Sequence, residues 1–138
     1  MAKSKYLAKK LLDHSLGVAA FTMPTVYLAL FTSVTSLDNG TLTNEVSGGG
    51  YAREAFTMPA AVAFGSGGKS TSDASVDFDV ATEDWGQMQA WAIMDAATGG
   101  NVLHYGVLPQ YGDPAEYKRV WAGDSFRVRA GDMNLTEE

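Results

Sequence analysis

Several short stretches of the chain alternate apolar and polar residues with a period of two, which is typical of half-buried β-strands. The clearest example lies within Trp85–Leu108, where one such stretch runs into Asp95–Gly100 and a second follows at Val102–Val107. The two glycines that end the connection supply the positive φ angles that a hairpin loop requires. This segment therefore predicts a β-hairpin.

The same pattern closes the chain in Gly123–Thr136. Phe126 and Val128 alternate with polar residues, so they predict a strand with one buried face and one solvated face. Ala130–Asp132 then predicts a turn into a last strand at Met133–Leu135. Neither segment contains a residue pattern typical of a catalytic site.

The N-terminal segment has a helical period instead. Within Lys3–Ser15, apolar residues recur among lysines and form a one-sided stripe about three turns long. These residues are Tyr6, Leu7, Leu11 and Leu12. The pattern predicts an amphipathic helix that ends near Gly17, because glycine is favoured just past the last helical turn.

A strand is predicted shortly after this helix. Pro24 prevents the helix from continuing, and Thr25–Phe31 is dominated by β-branched and aromatic residues. Both faces of this strand are apolar, which indicates a central strand covered on both sides. We expect the rest of a sandwich to cover one face, and the helix or another subunit to cover the other.

The remaining segments are predicted from composition and short alternations. Stretches rich in Gly, Ser, Thr and Asn favour surface loops, and the first of them reads as a long excursion outside the core. The predicted elements are loops at Thr32–Gly50, Gly65–Ser75 and Pro109–Tyr117, short strands at Tyr51–Phe56 and Ala60–Phe64, and a return to the core at Val120-Trp121.

The pattern as a whole predicts a mainly β protein with about eight or nine short strands and one short N-terminal amphipathic helix. Short strands separated by turns favour an antiparallel β-sandwich or a jelly-roll-like arrangement. With 138 residues, the chain has the size of one domain. We therefore predict a single β-sandwich domain over residues 1–138, with residues 1–16 as a helical anchoring element.

Composition narrows the classes of function. The chain has no cysteine, which excludes a disulfide framework and a Cys-based zinc site and fits folding in a reducing cytoplasm. No apolar run approaches the ~18 residues of a membrane span, and the N-terminal segment shows no export signal. We therefore expect assembly in a cytoplasm and no membrane span.

Charge is divided unevenly along the chain. Lys3, Lys5, Lys9 and Lys10 are four of the ten basic residues, so residues 11–138 carry six basic and sixteen acidic side chains, a net charge of −10. An acidic body argues against a nucleic-acid partner, because affinity for phosphates comes from clustered Lys and Arg.

One segment matches a loose form of the phosphate-binding P-loop. Ala63–Ser70 reads AFGSGGKS, with Lys69 at the position of the P-loop lysine. A P-loop requires a helix after the lysine, whose N-terminal amides point at the phosphates, whereas Thr71–Ser75 leads into a strand with a period of two. Ala63 also replaces the first glycine. We interpret the segment as a solvated glycine-serine loop and expect no cofactor.

A group of carboxylates lies in and after Val76–Val80, which predicts a strand with three apolar residues inward and Asp77 and Asp79 outward. Together with Glu83 and Asp84 they could hold calcium or act as a general acid/base pair in glycoside hydrolysis. The pattern lacks the glycine-centred calcium loop, and outward carboxylates also keep a strand soluble and discourage edge pairing. We assign no metal ligand and no catalytic residue.

The two histidines, His14 and His104, belong to no metalloprotease or nucleophile-elbow motif. His14 lies near the predicted end of the helix, where an imidazole is compatible with the helix dipole.

Aromatic residues offer a possible sugar-binding face, because rings stack on the apolar faces of pyranoses. Most of the tryptophans and tyrosines are expected in the core or at a subunit interface. Tyr111 and Tyr117 lie in a loop with Pro and Gly, and we predict them as exposed contacts.

The chain resembles small virion proteins of tailed bacteriophages that are often described as tail fibre proteins. The resemblance rests on Ser47–Arg53 (SGGGYAR), Trp85-Gly86, Thr98–Asn101, Tyr105-Gly106 and Gly123–Phe126, and it extends to the helical opening and to Tyr27–Thr32. These are turns and strand starts, so the resemblance implies a fold and no site residues. It implies a β-rich, non-enzymatic module of the virion, either on the tail or decorating the capsid.

A virion module needs a rigid scaffold, and symmetry multiplies its contacts. We predict that the helix anchors it to a neighbouring subunit or an acidic virion surface through Leu7, Lys9, Lys10 and Leu11. The expected partners are other virion proteins, tail or major capsid subunits, and further copies of the chain, in a trimer if it follows the usual symmetry of phage fibres. The alternatives are a receptor-binding module for a host surface glycan and a small glycan hydrolase that uses Asp77 or Asp79.

Overall fold

The computed structural model describes residues 2–137, which form fourteen β-strands, one α-helix and a short 3-10 turn. The helix α1 spans Lys5–Ser15, and the 3-10 turn spans Leu37–Asn39. The strands are β1 (Ala2–Lys3), β2 (Val26–Phe31), β3 (Glu54–Phe56), β4 (Val62–Phe64), β5 (Gly67–Thr71), β6 (Val76–Asp77), β7 (Gly86–Gln87), β8 (Ala90–Met94), β9 (Val102–Val107), β10 (Gln110–Tyr111), β11 (Glu116–Tyr117), β12 (Arg119–Val120), β13 (Arg127–Val128) and β14 (Asn134–Glu137).

The paired strands are antiparallel throughout these ladders, so the prediction of a mainly β, antiparallel fold with one N-terminal helix is confirmed. The strands outnumber the predicted eight or nine because seven of them have only two residues. Ladders this short leave no alternation that can be read from the sequence.

Five strands form the main sheet in the order β1-β9-β8-β2-β3. β2 lies inside this sheet, where Leu28 is paired with Ile93 of β8 on one side and with Glu54 of β3 on the other. Residues 28–31 of β2 are 0% exposed, as expected of a central strand covered on both faces. The predicted hairpin is confirmed as β8 and β9, joined by a connection that includes Gly99 and Gly100 at positive φ.

One face of the main sheet packs against the short ladders β6–β13 and β7–β12, which gives a sandwich-like arrangement. The core between the two layers contains Leu28, Leu30, Phe78, Trp85, Val120 and Phe126. Tyr51 also packs here, with its ring centroid 5.5 Å from that of Trp85 and 6.1 Å from that of Phe78. Aromatic rings from the second layer and from the segment before β3 therefore fill the core between the layers.

The other face of the main sheet is covered by the chain's own loop after β2. Leu37, in the 3-10 turn, is 1% exposed and packs with Ala29 and Phe31 on this face. Val46, later in the same loop, is 6% exposed and packs in the core between the two layers. The prediction that Thr32–Gly50 stays outside the core is therefore wrong, and so is the expectation that the helix or another subunit covers this face. Isolated apolar residues in a polar segment gain free energy by burial wherever an apolar sheet face is open.

Helix α1 begins at Lys5, two residues later than predicted, because Ala2–Lys3 pairs with β9 as strand β1. Ser4 caps the helix, and its side-chain oxygen accepts a hydrogen bond of 3.1 Å from the backbone N–H of Leu7. Gly17 has a φ of 74° just past the end of the helix. The predicted helix and its stop are thus confirmed.

Three local predictions are wrong. Gly65–Ser75 is not a flexible loop, since Gly67–Thr71 forms β5 between β4 and β14. Pairing on both edges gives the backbone N–H and C=O groups of β5 hydrogen-bond partners, whatever side chains the strand carries. Val80 and Trp121 are 57% and 56% exposed instead of buried, because each lies past the end of its short ladder. Val120 alone re-enters the core.

A buried ion pair joins two loops of the fold. Arg53 donates from Nε and Nη2 to the two carboxylate oxygens of Glu45, each at 2.7 Å. Its Nη1 donates to the carbonyls of Ala96 and Gly99, each at 2.8 Å. The Arg53 side chain is 3% exposed, and the hydrogen bond with Glu45 raises its pKa. The guanidinium thereby ties the segment before β3 to the β8–β9 connection.

Candidate functional site

A cleft of about 730 Å³ opens beside the sandwich core. Its apolar lining includes Leu28, Met88, Trp91, Phe126 and Met133, which are contributed by β2, β13 and the segments around β7, β8 and β14. Polar and aromatic groups complete the lining, namely Tyr111, Lys118, Arg127, Arg129, Asp132 and Asn134. The cleft thus lies over the edge of the buried core, where Leu28 and Met88 are 0% exposed, and its exposed lining combines apolar and polar groups.

Three short segments bring the polar groups to the cleft. Tyr111 ends β10 and is 64% exposed. Lys118 lies between β11 and β12 with its ammonium 5.4 Å from the ring centroid of Phe126. Arg129 and Asp132 flank the turn before β14, which is closed by a 3.1 Å hydrogen bond from the backbone N–H of Asp132 to the carbonyl of Arg129.

Two of the polar residues are already engaged within the chain. Arg127 forms an ion pair with Asp77, and the Asn134 amide accepts a hydrogen bond of 2.8 Å from Thr71 and donates one of 3.0 Å to the carbonyl of Gly131. Lys118, Arg129 and Asp132 form no ion pair with any residue of the described range 2–137. Together with the Tyr111 hydroxyl, these are the groups free to meet a ligand.

An apolar groove of about 400 Å³ forms a second concave surface, between α1, the main sheet and the β4–β5–β14 sheet. Its lining includes Leu11, Phe21, Pro24, Phe56, Met58 and Leu135. Four exposed apolar side chains lie at the end of α1 and in the following coil, the segment that also supplies Phe21 and Pro24 to the groove. These are Leu12, Leu16, Val18 and Met23, which are 59%, 68%, 71% and 91% exposed. We call these four residues the apolar patch.

The predicted docking residues of the helix have different surroundings. Leu7 is 4% exposed and packs on Ile93 and Leu103, so its side chain is used within the chain. Leu11 lines the apolar groove. Lys9 forms an ion pair with Asp13 at 2.6 Å, and the ammonium of Lys10 lies 5.7 Å from the ring centroid of Tyr6.

The two predicted tyrosine contacts are also separated. The segment Pro109–Tyr117, predicted as a loop, contains the two-residue ladder β10–β11, in which Tyr111 is paired with Glu116 and Tyr117 with Gln110. Tyr111 lines the cleft, whereas Tyr117 is partly buried and does not.

The two histidines have different surroundings and contacts. His14 accepts a hydrogen bond of 3.0 Å at Nδ1 from the backbone N–H of Phe21, which closes the coil after the helix. His104 borders the apolar groove, and its buried Nδ1 has no hydrogen-bond partner among residues 2–137. Burial lowers the pKa of His104, so the neutral imidazole is the favoured form.

The acidic residues Asp77, Asp79, Glu83 and Asp84 do not converge on a common site. Asp77 pairs with Arg127, and Asp84 pairs with Arg119, whose hydrogen bond lowers the pKa of Asp84. Within the described chain, no group of three or more His, Asp or Glu side chains is placed to hold a metal ion.

The P-loop-like segment is a β-hairpin. Lys69 lies in β5, and its ammonium is 4.8 Å from the ring centroid of Phe64 on the paired strand β4. A strand follows where a P-loop would have a helix, so the amides of this segment are used in pairing rather than pointed at a phosphate.

Sequence reasoning missed Lys118, Arg129 and Asp132, and it missed the apolar patch. A signal for the first group is present, since four of the six basic residues after position 10 fall between residues 118 and 129. The signal for the patch is the stretch Leu16–Pro24, which contains no charged residue.

Comparison with protein families gives a match over nearly the whole chain. A protein-family model described as "Podophage GP4 fiber I protein gp80" matches residues 2–136. No curated protein matches the chain. Within residues 2–137, no helix is long and apolar enough to cross a membrane.

Proposed function

Because this chain belongs to the family of the podophage GP4 fiber I protein gp80, a family of phage fibre proteins, we propose that it is a non-enzymatic structural module of a tail fibre. The match over nearly the whole chain is the observation that carries the proposal. The family's fibre description favours a place on the tail over decoration of the capsid. The module assembles with other virion proteins, and we place this assembly in the cytoplasm of the host bacterium.

The apolar patch supports a role in assembly. Large apolar side chains that are contiguous and exposed mark contact sites on soluble proteins. Leu16, Val18 and Met23 are each more than two-thirds exposed, and Phe21 and Pro24 of the same segment line the apolar groove. Lys9 and Lys10 precede these residues in the same helix.

We assign a second copy of the chain as the occupant of this surface, in a homotrimer. A cyclic assembly brings the same surface of every copy to one axis, so a patch that is modest on one chain becomes a continuous apolar core between three. Burial of Leu12, Leu16, Val18 and Met23 at such an axis would remove from water the largest exposed apolar side chains near the helix.

Val18→Asp is expected to convert the trimer into monomers at micromolar concentration. An aspartate at the axis would place three carboxylates close together in an apolar interface, where unpaired charges are strongly disfavoured. Val80→Asp is the matched control, because Val80 is also exposed and lies outside the patch and the groove. Sedimentation velocity measures the mass of each variant. A monomeric wild-type protein, or a trimer that survives Val18→Asp, would contradict the assignment.

A receptor-binding role is the second candidate function, and one observation favours it. The cleft presents an exposed tyrosine together with unpaired charged groups beside apolar side chains, which a purely structural module does not require.

A further inference from the structure

We propose that the cleft binds a negatively charged sugar, with Lys118 and Arg129 holding the anionic group, Tyr111 stacking on a sugar ring and Asp132 accepting hydrogen bonds from hydroxyls. This inference rests on the proposed fibre function, because a fibre module at the particle surface meets the saccharides of the host envelope. It adds to that function a ligand class and the residues that recognise it.

The charge distribution indicates an anionic ligand. The chain carries a net charge of −6, yet the cleft has three cations, Lys118, Arg127 and Arg129, against one carboxylate, Asp132. Arg127 is neutralised by Asp77, which leaves Lys118 and Arg129 as unpaired cations in this part of the described chain. Cations beside an apolar, concave surface attract anions more strongly than cations on an open surface do.

The aromatic residues indicate a ring-shaped ligand with apolar faces. Tyr111 lines the cleft and is 64% exposed. Trp91 also lines the cleft, where it packs against the core cluster and is only partly buried. An aromatic side chain with a wet hydroxyl can stack on the apolar face of a pyranose and also hydrogen bond to it.

The presence of Asp132 favours a sugar with isolated charges over a polyanion as the ligand. A carboxylate among the cations repels a closely spaced row of phosphates, and the acidic body of the protein does so as well. The same carboxylate is a good acceptor for sugar hydroxyls. These charged residues therefore fit a saccharide with isolated charges. An arginine can bind either a sugar carboxylate or a sugar phosphate through two parallel hydrogen bonds.

The binding of four defined probes to the full-length protein tests this inference. The probes are a galactose oligosaccharide that ends in a single galacturonate, its neutral methyl ester, a mannose oligosaccharide that ends in a 6-phosphate, and the same oligosaccharide without the phosphate. Titration calorimetry and NMR shift mapping at millimolar ligand measure affinity and location. The charged probes are expected to bind roughly tenfold more tightly than their neutral forms, or better. The relative affinity of the two charged probes shows whether carboxylate or phosphate is the preferred group.

Variants assign the binding to the cleft. Lys118→Gln combined with Arg129→Gln is expected to weaken binding of the charged probe roughly tenfold or more. Lys69→Gln combined with Arg119→Gln removes the same charge outside the cleft and is expected to leave binding unchanged. Tyr111→Ala is expected to weaken the charged and the neutral probe alike, because stacking does not depend on the anionic group. Circular dichroism confirms that each variant is folded.

Three results would overturn the inference. They are equal binding of charged and neutral probes, equal effects of the cleft variant and its charge-matched control, and no binding of any probe at millimolar concentration. None of these results bears on the fibre assignment, which is tested on phage particles. A chain that is present in fibres and does not bind the sugars would contradict the cleft ligand alone.

Discussion

Arg53→Met is expected to lower the free energy of unfolding by about 3–5 kcal/mol. The substitution leaves the Glu45 carboxylate, whose side chain is 15% exposed, without its counter-ion. It also removes the donor to the carbonyls of Ala96 and Gly99. A largely buried charge that loses its counter-ion costs more free energy than the pair contributes, because little water can replace the lost contact. Urea unfolding followed by circular dichroism measures the change.

Three further variants separate charge from packing. Arg53→Met combined with Glu45→Gln is expected to recover part of the loss, because the amide is neutral and still accepts the hydrogen bond of the Tyr51 hydroxyl. Arg53→Lys keeps the charge and loses the paired geometry, so its effect should lie between wild type and Arg53→Met. Arg119→Met makes the same substitution at the solvent-exposed pair with Asp84 and should have no resolvable effect. Similar losses for Arg53→Met and Arg119→Met would show that the buried pair has no special role.

Trp85→Ala is expected to lower the free energy of unfolding by about 3–5 kcal/mol as well. Trp85 is 6% exposed, packs edge-on against Tyr51, and donates a hydrogen bond of 2.9 Å from its indole N–H to the carbonyl of Gly49. The substitution opens a cavity in the core and removes one of the two donors to that carbonyl, which keeps the backbone N–H of Thr82 at 2.9 Å. Thermal unfolding of the two proteins in parallel gives the difference.

Trp121→Ala is the matched control for this prediction. Trp121 is 56% exposed, and its main neighbour is the guanidinium of Arg119, 4.3 Å from its ring centroid. The control should therefore change stability far less than Trp85→Ala. Equal losses of stability in the two variants would contradict this prediction. They would mean that Trp121 is buried between copies of the chain.

The Arg53 and Trp85 predictions are coupled through Tyr51. Its hydroxyl donates a hydrogen bond of 2.9 Å to Glu45 and accepts one of 3.0 Å from the backbone N–H of Leu30, while its ring packs on Trp85. Burial raises the pKa of Tyr51 well above its ordinary range, so the phenol stays protonated. The losses of the Arg53 and Trp85 variants are therefore expected to be non-additive when combined.

The elements that could be predicted from the sequence are those in which local pattern and tertiary packing agree. Residues 28–31 are apolar on both faces and lie in the middle of the main sheet. The β8–β9 hairpin has alternation on both sides and glycines at positive φ in its connection. The helix has an apolar stripe, a serine cap and a glycine stop. In each case the physical cause is local.

The elements that could not be predicted depend on partners distant in sequence. β5 reads as a loop because its residues are small and polar, yet β4 and β14 supply hydrogen-bond partners on both of its edges. Leu37 appears as a lone apolar residue in a polar stretch, and only the open face of the main sheet explains its burial. Neither cause is visible in the local sequence pattern.

For the same reason, only part of the cleft could be predicted from the sequence. Tyr111 could be predicted because an aromatic residue in a polar loop stands out locally. Lys118, Arg129 and Asp132 belong to different segments, and their convergence depends on how the short ladders pack. The apolar stripe of the helix predicts docking through Leu7, but Leu7 packs within the chain on Ile93 and Leu103. The exposed apolar residues lie further along, at Leu16, Val18 and Met23.

Cryo-electron microscopy of the phage particle that carries the chain shows whether the chain is a structural module of a tail fibre. We expect density for the sandwich in a tail fibre, arranged around a threefold axis with Val18 and Met23 at the contacts between copies. Density for the chain on the capsid shell alone, or its absence from purified particles, would show that the chain is not a fibre module.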